Sequence, residues 1–126
     1  MRTALLSGLV AALALAAVAS GATRLNTTGT WSVIEHCKTG WCAGQDYTGT
    51  WTVVQRRGSN KLSGHDDQSD SLAGTLAGHK AKWVLSGGLD TLTGHATFSA
   101  NGKTFRATWT DSRDASGSAT AMRRTR

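Results

Sequence analysis

From residue 28 onward, apolar side chains alternate with hydroxyl-bearing ones at a period of two. Thr28-Gly29-Thr30-Trp31-Ser32-Val33 places Gly29, Trp31 and Val33 on one face of an extended chain and Thr30 and Ser32 on the other. The same arrangement returns as Thr48-Gly49-Thr50-Trp51-Thr52-Val53. Trp83 and Leu85 follow the rule, as do Phe105, Ala107 and Trp109. An apolar row beside a hydroxyl row predicts half-buried strands in a sheet with one wet face. On this basis strands are expected over 29–37, 48–56, a short run about Leu62, 72–76, 80–86, 91–100, 104–111 and 116–124. Asn101-Gly102 is the best hairpin-turn signal among the intervening segments.

Short turns between successive strands imply an antiparallel meander, because parallel neighbours need long crossovers. A lone meander must hide one apolar face and two edges, and closure into a barrel does both. The expectation is therefore an all-β fold, a single antiparallel meander β-barrel of about eight strands, with a two-sheet β-sandwich as the alternative. The inward set is Trp31, Val33, Trp51, Val53, Leu62, Leu72, Leu76, Trp83, Leu85, Leu92, Phe98, Phe105 and Trp109. Gly64, Gly74 and Gly94 share that phase, which suits sharp bends or places where an indole ring crosses a strand.

Gly29-Thr30-Trp31 and Gly49-Thr50-Trp51, followed by the repeated Leu62-Ser63-Gly64, Leu72-Ala73-Gly74 and Leu92-Thr93-Gly94, carry a resemblance. In these motifs the chain resembles the calycin group: lipocalins, avidins and small bacterial protease-inhibitor barrels. The resemblance implies a barrel and binding in preference to catalysis. It carries over no ligand, and the duplicated Gly-Thr-Trp departs from the single copy usual in the group.

Composition narrows the class. The 126 residues include fifteen Gly and no Pro, enough chain for one small domain. Residues 1–19 read as a cleaved export signal. Met1-Arg2 is the positive start, an apolar run rich in Ala and Leu follows, and Ala17-Val18-Ala19 supplies the small-x-small cleavage pattern. Residues 20–27 form a polar lead-in, and 28–126 the barrel domain with a basic C-terminal tail. Periplasmic or secreted placement follows. The formal net charge is +6, with basic residues scattered apart from Arg56-Arg57 and the terminal Arg123-Arg124-Thr125-Arg126. Such scatter reads as a soluble face, with at most weak attraction to anionic envelope surfaces.

Cys37 and Cys42 are the sole cysteines, and in an exported chain so close a pair is expected to form a disulfide. The loop they close presents Trp41, either as an exposed recognition anchor or folded over the barrel end. Three histidines recur in one phrase, as His65, His79 and His95, but their spacing matches no compact metal motif. Asp66, Asp67 and Asp70 share a turn, where Asp serves its own backbone. Glu35, the one glutamate, falls on the inward phase near the end of the first strand, to line a barrel mouth or pair with a basic side chain. No Gly-x-Ser-x-Gly elbow occurs. Nucleic-acid stacking would require outward tryptophans, whereas the phase points four of the five inward.

These features favour a monomeric, exported, non-enzymatic binding protein with no catalytic residues, metal or cofactor. A small apolar ligand is expected in the barrel mouth, with Trp31, Trp41, Trp51, Trp83, Trp109 and Glu35 as candidate ligand-binding residues. The alternatives are a protein-binding or inhibitor module working through the Cys37–Cys42 loop, or a structural envelope protein.

Overall fold

The computed structural model describes residues 25–124; the expected export signal lies outside the described residues. Eight strands run in chain order: β1 (Gly29–Thr39), β2 (Asp46–Gln55), β3 (Lys61–Asp66), β4 (Ser71–Ala77), β5 (Lys80–Ser86), β6 (Leu92–Phe98), β7 (Thr104–Asp111) and β8 (Ser116–Arg123). Each pairs antiparallel with the next, and β1 pairs antiparallel with β8, so the sheet closes into a barrel. Closure excludes the sandwich. It also leaves no unpaired strand edge to template association. Several expected boundaries move: β1 runs on to Thr39 instead of 37 and β2 begins at Asp46 instead of 48, while β6 stops at Phe98, so that residues 99–103 form a five-residue turn where 101–103 were expected. Asn101 Oδ1 accepts from the Lys103 N–H at 3.0 Å, and Gly102 takes the left-handed conformation at φ 71°. That side-chain bond supplies a longer turn than the Asn-Gly pair alone predicts.

The inward phase is the one the alternation demands. All thirteen expected inward side chains face the interior, twelve of them buried and Leu92 partly so. Ala81, Ala96, Ala107, Ala119 and Ala121 join them. The rings of Trp31, Phe98 and Phe105 form a triangle with centroids 5.2–5.5 Å apart. Trp51 meets Trp83 at 5.0 Å and Phe105 at 5.8 Å. Such separations suit the offset and edge-on contacts that aromatic rings prefer. The space left among these rings is about 20 Å³, so this half of the barrel is filled.

A second device accommodates two of the indoles. Around the wall, Gly74 pairs Trp83, Trp83 pairs Gly94, Gly94 pairs Trp109, and Trp109 pairs Gly117. Glycine and tryptophan thus alternate across five strands along one row of paired residues, which strand tilt carries obliquely from the packed half toward the open end. A Cβ on Gly94 would lie 2.5 Å from the Trp83 ring and 2.3 Å from the Thr108 carbonyl; one on Gly117 would lie 2.7 Å from the Trp109 ring. Each indole lies across the neighbouring strand at the position that lacks a side chain.

The two ends of the barrel differ. At the end where β1 begins, the lead-in acts as a seal. Thr27 is fully buried, its N–H and hydroxyl donate to Gln55 Oε1 at 2.9 and 3.0 Å, and Gln55 Nε2 donates to the Leu25 carbonyl at 3.0 Å. The Trp31 indole N–H donates to the Thr27 carbonyl at 3.0 Å, and the Arg123 guanidinium lies over the Trp31 ring at 4.9 Å. The opposite end, where β1 finishes, is open.

Candidate functional site

The open end is built by the finishes of β1, β3, β5 and β7 and the starts of β2, β4, β6 and β8. Between them lies a cavity of about 510 Å³, within the range of small-molecule sites. Its floor is apolar, made by Val33, Trp51, Leu85, Leu92 and Trp109. Glu35 enters it from β1, two positions before Cys37, where the disulfide loop begins. The alternation that aims Trp31 and Val33 inward aims Glu35 inward too, one pleat nearer the rim.

Glu35 is not paired with a basic side chain. Its Oε1 is buried with no hydrogen-bond partner among the described residues. Burial, reinforced by the carboxylates of Asp66 and Asp67, raises its carboxyl from an ordinary 4.5 to about 7. Near neutrality the mouth therefore holds a carboxyl divided between its neutral and charged forms. Asp66 also builds its own turn, accepting the Gln68 and Asp70 N–H groups at 2.9 and 2.8 Å.

The rim is organised by the disulfide loop. Cys37 and Cys42 are bonded, and Trp41 between them leans over the opening while remaining 53% exposed. Its indole N–H donates to Asp111 Oδ2 at 2.8 Å, and the Arg113 guanidinium stacks on its ring at 4.1 Å. Arg113 is anchored in turn by both carboxylate oxygens of Asp90, with Nη2 to Oδ2 at 2.6 Å. Desolvation acts to raise the Asp111 carboxyl, but hydrogen bonds from Trp41, Ala115 and Arg113 hold it below its ordinary value. Tyr47 and Leu89 complete the rim, Leu89 being 92% exposed.

Of the residues singled out from the sequence, Glu35, Trp41, Trp51 and Trp109 meet at this mouth. Trp31 and Trp83 do not. Trp31 sits beneath the Thr27 seal, and Trp83 is turned into the packed half across Gly94. The histidines stand apart: His65 and His95 are exposed on the outer wall, and His79 lies in the β4–β5 turn with Nδ1 3.2 Å from the Ser99 carbonyl. Among the described residues no three His, Cys, Asp or Glu side chains are grouped as a metal site. The Asp90–Arg113–Asp111 chain that fixes Trp41 had no sequence signal, because its members come from the end of β7 and from two separate loops. A broader concavity of about 740 Å³ lies on the outer wall of β3–β7, where the Gly74 and Gly94 bends draw the strands inward. It is shallow and faces no buried ionisable group.

Charge follows the same axis. All eight carboxylates of the chain lie at the open end: Glu35, Asp46, Asp66, Asp67, Asp70, Asp90, Asp111 and Asp114. Lys38 and Arg113 are the basic side chains beside them. The other nine Lys and Arg of the described residues belong to the sealed half: Arg56, Arg57, Lys61, Lys80, Lys82, Lys103, Arg106, Arg123 and Arg124. A scatter of charge in sequence is a polarity in space.

No protein-family model matches the chain, and no curated protein matches it. The solved structures similar to it in fold include two redesigned β-barrels. The redesigned β-barrel b11L5F_LGL superposes with a TM-score of 0.60 at 19% identity, over 79% of this chain and 92% of its own. The redesigned β-barrel mFAP1, solved bound to DFHBI, gives 0.57 at 20% identity, over 77% of this chain and 94% of its own. This chain shares with them the fold of a small eight-stranded antiparallel β-barrel.

Proposed function

We propose that this protein binds a small, largely apolar molecule in the open end of its barrel and performs no chemistry on it. The observation that carries the reading is an apolar floor with one buried, unpartnered carboxyl, Glu35, in an otherwise filled barrel. Sites for small molecules pair an apolar lining with a few placed polar groups that set orientation. The apolar body of the ligand lies on Trp51, Leu85, Leu92 and Trp109, and a hydrogen-bond donor on it meets Glu35. Among the described residues no nucleophile or base is hydrogen-bonded to that oxygen, so this reading gives Glu35 an orienting role. The similar barrel solved with DFHBI supports the class of function and names no ligand for this one. The disulfide supports an exported, oxidising location.

The test is a titration with the neutral dye Nile red, following its emission and energy transfer from tryptophan. One saturable site with a micromolar Kd is expected, lost in Leu92→Trp, which fills the mouth, and kept in Val84→Trp on the outer wall. Dye binding that survives Leu92→Trp, or no saturable binding at all, overturns the reading.

A second reading rests on the rim. Trp41, Tyr47 and Leu89 are exposed around one opening, and Trp41 is held in place by Asp111 and Arg113. Pinned aromatics at the centre of a surface suit a protein partner as well as a small ligand. Capture of a partner that is lost on Trp41→Ala while dye binding persists would favour this reading.

A further inference from the structure

Charge divides along the barrel axis, completely for the side-chain carboxylates and for nine of the eleven Lys and Arg among the described residues. Every carboxylate lies at the open end, while the sealed end carries nine basic side chains, eight of them exposed. They come from the β2–β3, β4–β5 and β6–β7 connections, from the adjoining strand ends and from the end of β8, so they surround the axis instead of forming a stripe. We infer that the sealed end is a docking surface for a bilayer of anionic phospholipids, on which the barrel stands end-on with its mouth facing away.

Distance makes the polarity legible to a charged plane. β1 spans eleven residues, which at about 3.3 Å each and a tilt of about 40° separates the ends by roughly 25–30 Å. The Debye length at physiological salt is about 8 Å. A surface touching Arg57 and Lys103 is therefore screened from Asp66 and Asp111, and it meets a strongly cationic body instead of one with a modest net charge. The reverse orientation presents the acidic rim and is repelled.

The sealed end also fits a plane better than a threaded polymer. The exposed aromatics, Trp41 and Tyr47, are both at the acidic end, so no stacking platform accompanies the basic ring. Nor does the barrel insert. The outer wall is dominated by Thr, Ser, Lys and Arg, without the apolar band a lipid-facing barrel needs. Contact is peripheral, through long basic side chains alone.

A matched pair of charge reversals tests this. Arg57→Glu and Lys38→Glu each change net charge by two, both at exposed positions, one at each end. Sedimentation with vesicles of 70% phosphatidylcholine and 30% phosphatidylglycerol should show binding at 0.1 M salt, absent with phosphatidylcholine alone and lost near 1 M salt, where the Debye length is about 3 Å. Arg57→Glu should weaken that binding at least about fivefold, and Lys38→Glu by less than about twofold. Trp41, the one exposed tryptophan, should stay as open to acrylamide on the vesicle as in solution. Equal losses in both variants, or shielding of Trp41, overturn the end-on geometry. Binding to soluble polyphosphate with none to vesicles assigns the ring to a linear polyanion instead. Self-association at low salt that either variant relieves assigns it to the acidic end of a second copy.

Discussion

The sealed and open ends of this barrel are made from the same strands, and the difference between them lies in what each strand aims inward at each level. Along β6 the inward residues run Leu92, Gly94, Ala96 and Phe98, gaining bulk from Gly94 toward the sealed end. Along β2 they run Gly49, Trp51 and Val53 in the same direction. The sealed end adds Trp31, Phe105 and the Thr27 lead-in to these, and little space remains. The open end offers Gly49 and Glu35 at the corresponding height, and a cavity is left. Filling one half supplies the packing energy that permits the other half to hold a void and a buried carboxyl. The proposed ligand site depends on that asymmetry.

The strongest way to break the comparison is to empty the filled end. Trp31→Ala removes the ring that contacts Phe98, Phe105 and Arg123, along with the hydrogen bond to Thr27. A loss of about 3–5 kcal/mol is expected, read as a lowered urea midpoint. That is much of the stability of a domain this size. A midpoint near wild type would mean that the sealed end is not the structural half.

The next effect belongs to the open end and has the opposite sign. The Glu35 carboxyl is raised to about 7 in the folded protein, so the stability it permits is complete below about pH 4.5 and falls as pH rises through 7. Glu35→Gln mimics the neutral form and escapes that fall. The variant should match wild type near pH 4 and exceed it by about 3 kcal/mol above pH 8. Urea midpoints for both proteins across that pH range check it. A constant difference between them would place the carboxylate in solvent and remove the polar anchor from the proposed ligand site.

At the sealed end again, Gln55 serves both Thr27 and Leu25. Gln55→Ala leaves the buried Thr27 N–H and hydroxyl without that acceptor, and about 1–3 kcal/mol should be lost. Thr48→Ala at the open rim should change stability by less than about 0.5 kcal/mol. Equal effects would show that the lead-in is not a seal.

Much of this was legible in the sequence because period-two alternation states both the strand and its inward face. Trp31-Ser32-Val33 and Trp83-Val84-Leu85 needed no further information. Ala107 was marked by Phe105 and Trp109 on either side of it, but the inward alanines Ala81, Ala96, Ala119 and Ala121 were missed, because Ala by itself contrasts too weakly with polar neighbours to mark a face. Closure was arguable from edges, but which side chains share a level depends on strand stagger, so Trp31 and Trp83 could not be separated from Trp51 and Trp109. Charge polarity was present in the order of the loops. In a meander alternate connections open at opposite ends, and Asp66, Asp90 and Asp114 fall in or beside one set while Arg57 and Lys103 fall in the other. Counting charge along the chain averages this away. Glu35 showed its phase, but not its neighbours, because Asp66 and Asp67 reach it from β3 across β2.

A weaker loss than those of Trp31→Ala and Glu35 ionisation tests whether the open rim is held or merely adjacent. Trp41 lies half-exposed on a loop already closed by the disulfide, so its removal uncovers little buried surface. What it loses is one hydrogen bond to Asp111 and one cation–π contact with Arg113, whose guanidinium is itself fixed by Asp90. Exposed contacts of this kind are worth about 0.5–1 kcal/mol each. Trp41→Ala should therefore cost about 1 kcal/mol, well below Trp31→Ala, and Arg113→Ala should shift the urea midpoint in the same direction. Because the two side chains act on each other, the double variant should cost less than the sum of the singles, by about 0.5 kcal/mol or more. Strict additivity in that cycle would mean that Trp41 swings free of Arg113 in solution. A cost for Trp41→Ala as large as that for Trp31→Ala would instead make the disulfide loop part of the core and erase the distinction between the two ends.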